Sequence, residues 1–295
     1  MTTVGIPIVS VLGAGVIASG MIENLQKAGI VVHGYNRTRS RLTSLLSNEC
    51  IFETPRDAAA GALAVISCVS DDLASSAVWT GPFGAFMGMK GDAMALECST
   101  LSVEYLEEWF RIADAGGIAA MDAPVTGGRT GAQKGRLSFF IGGREGELQA
   151  EIVRLLSVMG SRSIYFNERG HGMKFKLAYN AMGAAVIAAL GESMALVKQA
   201  GIDSSAALEA YSCYGLGAAS TKPKFMAAGD YGYVECSIGT LMKNAEYAMS
   251  FAAMADLELP VTSQAYRQYV IAADAGMSRQ DVAAVHETVN SASIK

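Results

Sequence analysis

Over residues 6–166, six short apolar runs alternate with stretches of helical spacing; after them the strand signals stop. The runs are IPIVSVLG, IVVHGYN, ALAVISCVS, DAMALEC, GIAAMDAPV and LSFFIGG. Between them, Ile22–Ala28, Ser102–Ala115 and Glu145–Met159 place apolar residues at the period of a helix. Alternation of this kind produces an α/β fold, a doubly wound sheet whose crossover helices cover both faces. Past RSIYFNERG the pattern is helical: a long helix from about 171 to 200, then shorter ones near 203–213, 236–256, 260–276 and 280–290. GID and LELP supply breaks between them. The expected organisation is a nucleotide-binding domain over 1–168 and an all-helical domain over 169–295.

Composition narrows what such a chain does. Only 17% of its 295 residues are charged and the net charge is −5, with basic residues scattered, so neither nucleic acid nor an anionic membrane is favoured. The 5 cysteines are odd in number and form no CxxC pair, which reads as reduced thiols. No His/Cys spacing points to a metal. The N-terminus has no basic region followed by an apolar stretch, and a cytoplasmic protein is expected. The apolar stretch Ala178–Val197 contains Asn180, Glu192 and two glycines and is rich in alanine, so a buried helix explains it better than a membrane span.

In VLGAGVIASG, Gly13 permits a tight turn after the first strand, Gly15 lets backbone approach a pyrophosphate, and Ala18 is small enough for close helix–strand packing. Phosphates would sit at the positive end of the following helix, beside Gly13, Ala14, Gly15, Val16 and Ile17. Such a Rossmann-like unit that prefers NAD carries an acid about 20 residues further on. Here Asn36 removes that charge, while Arg37 offers a permanently charged planar fork and Thr38 a hydroxyl. Arg39 or Arg41 would add positive field. NADP, with NADPH preferred over NADH, is the cofactor expected.

Three further motifs follow in order. MDAPVTGGRTGAQKGRLSFFIGG (Met121–Gly143) places Gly127 and Gly128 before a short helix, with backbone N–H groups suited to a carboxylate. In GHGMKFKLAYN (Gly170–Asn180), Gly172, Lys176 and Asn180 fall at i, i+4 and i+8 and share a helix face. The third is SIGTLMKNAEYAM (Ser237–Met249). With CVSDD and ECSTLS before them, these motifs resemble the β-hydroxyacid dehydrogenase family across essentially the whole chain. That family includes 3-hydroxyisobutyrate dehydrogenases, tartronate semialdehyde reductases and NADPH-dependent glyoxylate or succinic semialdehyde reductases.

The resemblance implies roles. Lys176 would be the general acid/base and Asn180 its orienting or substrate-binding partner, while Thr126, Gly127 and Gly128 would hold a substrate carboxylate. Val69, Ser70, Ser99 and Thr100 would lie in strand-end loops beside the nicotinamide half, and Lys243 would approach the cofactor. Asn244 stands where the family has aspartate. A homodimer or homotetramer is implied as well. The reaction is hydride transfer between nicotinamide and the hydroxyl-bearing carbon of a small acid. A free lysine near pKa 10.4 is a poor base at neutral pH, so burial between the domains and the charge of oxidised nicotinamide are expected to lower its value.

Some residues stay open between two roles. Arg129 and Arg136 flank the carboxylate loop and either extend an anion pocket or face solvent; Lys174 is a surface or phosphate-proximal lysine. His171 reads as structural, and Tyr211 and Tyr214 as helix packing. An imine reductase shares the architecture and an NRT-like stretch, but such enzymes usually lack the lysine and the carboxylate loop. A non-catalytic NADP-binding protein is disfavoured by Lys176. The residues that choose the substituent, around YSCYGLGAASTKPKF, match no pattern that names the substrate.

Overall fold

A computed structural model describes residues 7–91, 93–146, 148–199, 201–213, 221–254 and 256–290. The chain divides into two compact units, Met1–Lys176 and Leu177–Lys295. Tyr214 and the rest of residues 214–220 lie outside the described residues.

In the first unit, β1 (Ile8–Leu12), β2 (Val31–Tyr35), β3 (Ala64–Ser67), β4 (Met94–Glu97) and β5 (Ala119–Asp122) form one sheet in the order β2-β1-β3-β4-β5, all pairs parallel. Its central strands are buried on both faces, which is why they read as unbroken apolar runs. Successive residues serve opposite faces: Ala64 and Ile66 join one core, Val65 the other. One face packs against α1 (Val16–Lys27), whose Ala18, Met21, Ile22 and Leu25 are buried. The other packs against α4 (Val103–Ala115), which buries Val103, Leu106, Trp109, Phe110 and Ala113 at helical spacing. Trp79 ends the short helix α3 (Asp72–Trp79), and its ring lies 5.3 Å from that of Trp109 in an edge arrangement.

Helix starts follow capping chemistry. Thr54 caps α2 (Pro55–Ala59), Asp71 caps α3 by accepting the Ala74 N–H at 2.8 Å, and Ser102 caps α4 through Tyr105.

The run GIAAMDAPV is not one strand. It forms β5 and then, past Ala123-Pro124, β6 (Val125–Thr126) in a second sheet of order β6-β7-β8. There β7 (Leu137–Ile141) pairs antiparallel with β6 and parallel with β8 (Gly160–Tyr165). Proline has no N–H for a ladder, which favours a break at 124. α5 (Gly128–Gln133) joins β6 to β7, and α6 (Ala150–Met159) begins five residues later than periodicity placed it.

The helix α7 (His171–Gln199) carries the chain out of the first unit. The second unit continues with α8 (Ser204–Cys213), α9 (Lys222–Ala228), α10 (Ile238–Met254), α11 (Pro260–Ala272) and α12 (His286–Asn290). The expected helix at 280–290 is a 3-10 turn, Val282–Val285, followed by α12, and α9 is additional to the helices that the periodicity predicts. Ala184, Ile187, Leu190, Ile238, Leu241, Ala245, Tyr269 and the Val282–Val285 turn make its core. Tyr269 satisfies its hydroxyl there on the Ala184 carbonyl at 2.8 Å. Lys222 is buried too, and pairs with the fully buried Asp281 at 2.9 Å.

Candidate active site

The turn after β1 is built for a ligand. Gly13 adopts φ 120°, and a Cβ there would collide with the Cys68 carbonyl oxygen. Gly13 N–H donates to the Tyr35 carbonyl at 2.8 Å, which ties the turn to the end of β2. At Gly15, the N-cap of α1, an added Cβ would meet nothing from the rest of the fold within 4 Å. The backbone there borders a cavity of about 510 Å³, whose lining includes Ala14, Val16 and Ser19. Ile17 packs on the core behind it. An open glycine backbone at a helix start fits a dinucleotide diphosphate.

Asn36 serves the same turn. Its Oδ1 accepts the Ala14 N–H at 3.1 Å and its Nδ2 donates to the Thr38 carbonyl at 2.9 Å. Arg37 and Thr38 are exposed beyond it. Arg39 has structural partners: its Nη1 donates to the Ile51 carbonyl at 2.9 Å and pairs with Glu53 at 2.8 Å. Arg41 lines the cavity.

The loops after β3 and β4 are joined by a carboxylate that motif reading passed over. Glu97, fully buried at the end of β4, accepts the Ser99 N–H at 2.8 Å on one oxygen. Its other oxygen accepts Ser75 Oγ and Trp79 Nε1, each at 2.7 Å. Ser99 Oγ in turn accepts the Val69 N–H at 2.9 Å. Burial pushes the Glu97 carboxyl above its ordinary value, against the pull of these donors. Val69 and Ser99 are therefore held by one network, with Ser70 and Thr100 beside them. An acid closing a buried strand, as in MALEC, is the signal that could have found Glu97.

The loop after β6 is half-buried at Thr126, and both Gly127 and Gly128 have positive φ, 131° and 58°. Asp122, fully buried at the end of β5, accepts the N–H of Gly170 at 2.7 Å and of Met173 at 2.8 Å, and so caps the start of α7. A Cβ at Gly172 would collide with the Phe140 carbonyl oxygen and lie 2.9 Å from Asp122 Oδ2. Only glycine lets the helix enter this close to β7. Lys176, one turn on, is 7% exposed, unlike an ordinary surface lysine. Lys174 is half-buried, and His171 sits with Nδ1 3.2 Å from the Phe166 carbonyl.

Asn180 and Lys243 lie in the second unit. Asn180 is 8% exposed, and its Nδ2 has no hydrogen-bond partner among the described residues. Lys243 is half-buried, 5.2 Å from the Tyr247 ring centre. Next to it Asn244 is 6% exposed, with Oδ1 unpartnered among the described residues. Buried amide atoms in that condition are costly unless a ligand or water completes them.

Residues 8–167 match the profile described as the NAD binding domain of 6-phosphogluconate dehydrogenase. Residues 170–289 match that described as NAD-binding of NADP-dependent 3-hydroxyisobutyrate dehydrogenase. The chain belongs to the β-hydroxyacid dehydrogenase family. As a β-hydroxyacid dehydrogenase it is an NAD(P)-dependent oxidoreductase. Glyoxylate/succinic semialdehyde reductase 2, chloroplastic, of Arabidopsis thaliana is 27% identical over 285 residues, covering 95% of this chain and 79% of that protein. An NAD-dependent L-serine dehydrogenase of Pseudomonas aeruginosa is 27% identical over 202 residues, 68% of this chain and 67% of that one. The structure of Mycobacterium tuberculosis 3-hydroxyisobutyrate dehydrogenase with L-serine has the same fold, with a TM-score of 0.83 at 24% identity over 97% of this chain and 100% of that one. Among the described residues, no helix is long and apolar enough to cross a membrane.

Proposed function

We propose that this β-hydroxyacid dehydrogenase uses NADP, NADPH in preference to NADH, to interconvert a short carboxylate-bearing aldehyde or ketone and its hydroxy acid. The observation that carries this reading is Lys176, a buried lysine on the first turns of the helix that Asp122 caps. A bound nicotinamide supplies or accepts the hydride. In reduction Lys176 donates a proton from Nζ to the carbonyl oxygen; in oxidation it takes the proton of the substrate hydroxyl. Thr126, Gly127 and Gly128 hold the carboxylate and fix the reacting carbon. Asn180 orients Lys176 or the substrate; its unpartnered Nδ2 supports that assignment.

The glycine turn, with Gly13, Ala14, Gly15, Val16 and Ile17, holds the diphosphate. Arg37 and Thr38 take the 2′-phosphate, and Asn36 withholds the carboxylate that would repel it. Val69, Ser70, Ser99, Thr100 and Lys243 complete the cofactor set by motif. Assembly as a homodimer or homotetramer in the cytoplasm belongs to the same reading.

The test is single-turnover oxidation of NADPH with glyoxylate, succinic semialdehyde, tartronate semialdehyde, methylmalonate semialdehyde and a cyclic imine, for wild type and Lys176→Ala. Reduction of one of the acids, falling by roughly 10²–10⁴ in the variant, is the expected result. Imine turnover that survives the substitution would replace this reading with an imine reductase.

A further inference from the structure

Arg129 follows Gly127 and Gly128 in the chain, and its neighbours there point to the substrate carboxylate. Its place in the fold points elsewhere. The Arg129 side chain, on the first turn of α5, lines the cavity of about 510 Å³ that Ala14, Gly15 and Ser19 line from the glycine turn and α1. Arg41 enters the same cavity from the segment after β2. Two arginines from different segments of the chain therefore line one cavity with Gly15. Glu23 is the one acidic residue among the described residues of the lining, and it pairs with Lys27 at 4.0 Å.

Packing holds Arg129 in this place. Asn24 Nδ2 donates to the Gly20 carbonyl of α1 at 2.7 Å and to the Ala132 carbonyl of α5 at 2.8 Å, which locks the two helices together. Ala132 is fully buried in that contact. A guanidinium presents two parallel N–H donors to neighbouring phosphate oxygens, and a helix start adds backbone N–H groups to the same anion. We infer that Arg129 binds the diphosphate of the dinucleotide, so that the second glycine loop serves the cofactor as well as the substrate. Arg136, exposed at the far end of the loop, takes no part. The inference rests on the reading that the glycine turn holds the cofactor diphosphate.

Dissociation constants for NADPH, NADH and ADP-ribose, measured by titration calorimetry on the full chain without substrate, test it. The proteins compared are wild type, Arg129→Leu and Arg129→Lys, each checked by circular dichroism and thermal melting. Arg129→Leu is expected to weaken all three by a similar factor, tenfold or more, because all three carry the diphosphate. Arg129→Lys keeps the charge without the fork and is expected to lose at least threefold on all three. This second variant carries the comparison if Arg129→Leu does not fold. Constants within twofold of wild type overturn the inference, as does a loss confined to NADPH, which would assign Arg129 to the 2′-phosphate. Unchanged cofactor constants with a raised KM for the acid would return Arg129 to the carboxylate. Wild type that binds none of the three would sink the dinucleotide reading itself, and the inference with it.

Discussion

Asp122 Oδ2 accepts the backbone N–H of Met173 at 2.8 Å, one turn before Lys176 on the same helix. Its other oxygen holds Gly170, so a single side chain at the end of β5 fixes where α7 begins. The cap comes from 51 residues away in the chain. The lysine's position therefore depends on the sheet as well as on the local glycine at 172.

Asp122→Ala strands two donors, at about 1–3 kcal/mol for each that stays dry. A lower unfolding midpoint in urea is expected, with kcat falling by a larger factor than the dissociation constant for NADPH rises. Asp122→Asn keeps one acceptor but turns an NH₂ towards a backbone N–H, so it should recover only part of the loss. Equal effects on kcat and cofactor binding would mean that Asp122 merely supports the fold.

Glu97 ties stability to pH. Its folded-state carboxyl lies above the ordinary value of 4.5 because it is buried. The folded protein thus binds its proton more tightly than the unfolded chain does. Its contribution is full below 4.5 and is lost as pH rises through the raised value. Unfolding free energy measured in urea from pH 4.5 upward should fall more steeply in wild type than in Glu97→Gln. Parallel slopes would show that Glu97 does not titrate in this way.

In the second unit, Lys222 and Asp281 form a buried pair. Lys222→Met should cost about 3–5 kcal/mol, the range for breaking such a pair by removing one partner. Asp281→Ala should cost at least as much, because Asp281 also accepts the N–H groups of Glu235 at 3.0 Å and Ala283 at 3.1 Å. Chemical denaturation of both variants and the double variant should give a double cost smaller than the sum.

Changing cofactor preference at position 36 should fail. Asn36→Asp keeps an acceptor for Ala14 but sets a carboxylate oxygen against the Thr38 carbonyl, where the amide now donates. Weaker NADPH binding, no gain for NADH and a lower melting temperature are expected. Arg37→Ala should instead lose about tenfold or more on NADPH alone, the worth of a charge-assisted hydrogen bond. Tight NADH binding by the aspartate variant would contradict this account.

The parallel sheet is legible in the sequence because each buried strand is a short apolar run between helical stretches, and the glycine turn is legible because Gly13 and Gly15 have distinct physical duties. The break inside GIAAMDAPV is harder to see: its apolar residues continue through both strands, and only Pro124 marks the change of sheet. α9 is missed because KPKFMAA is too short to display a period. In the site, motifs identify side chains that would face a ligand. They do not identify Glu97, Asp122 or the structural use of Arg39, whose partners lie on other elements and become visible only when strands are placed side by side.

Trp79 and Trp109 are the chain's 2 tryptophans, and both lie in the first unit. Indole emission is therefore a private signal of the nucleotide-binding half. The Trp79 N–H bond to Glu97 makes that signal sensitive to the acid that braces the Ser99 loop. The helical half contributes no indole light, only tyrosine absorbance and far-ultraviolet ellipticity. Melting the protein with emission and ellipticity recorded together would resolve, in one cuvette, whether the two halves come apart as one cooperative body or in succession.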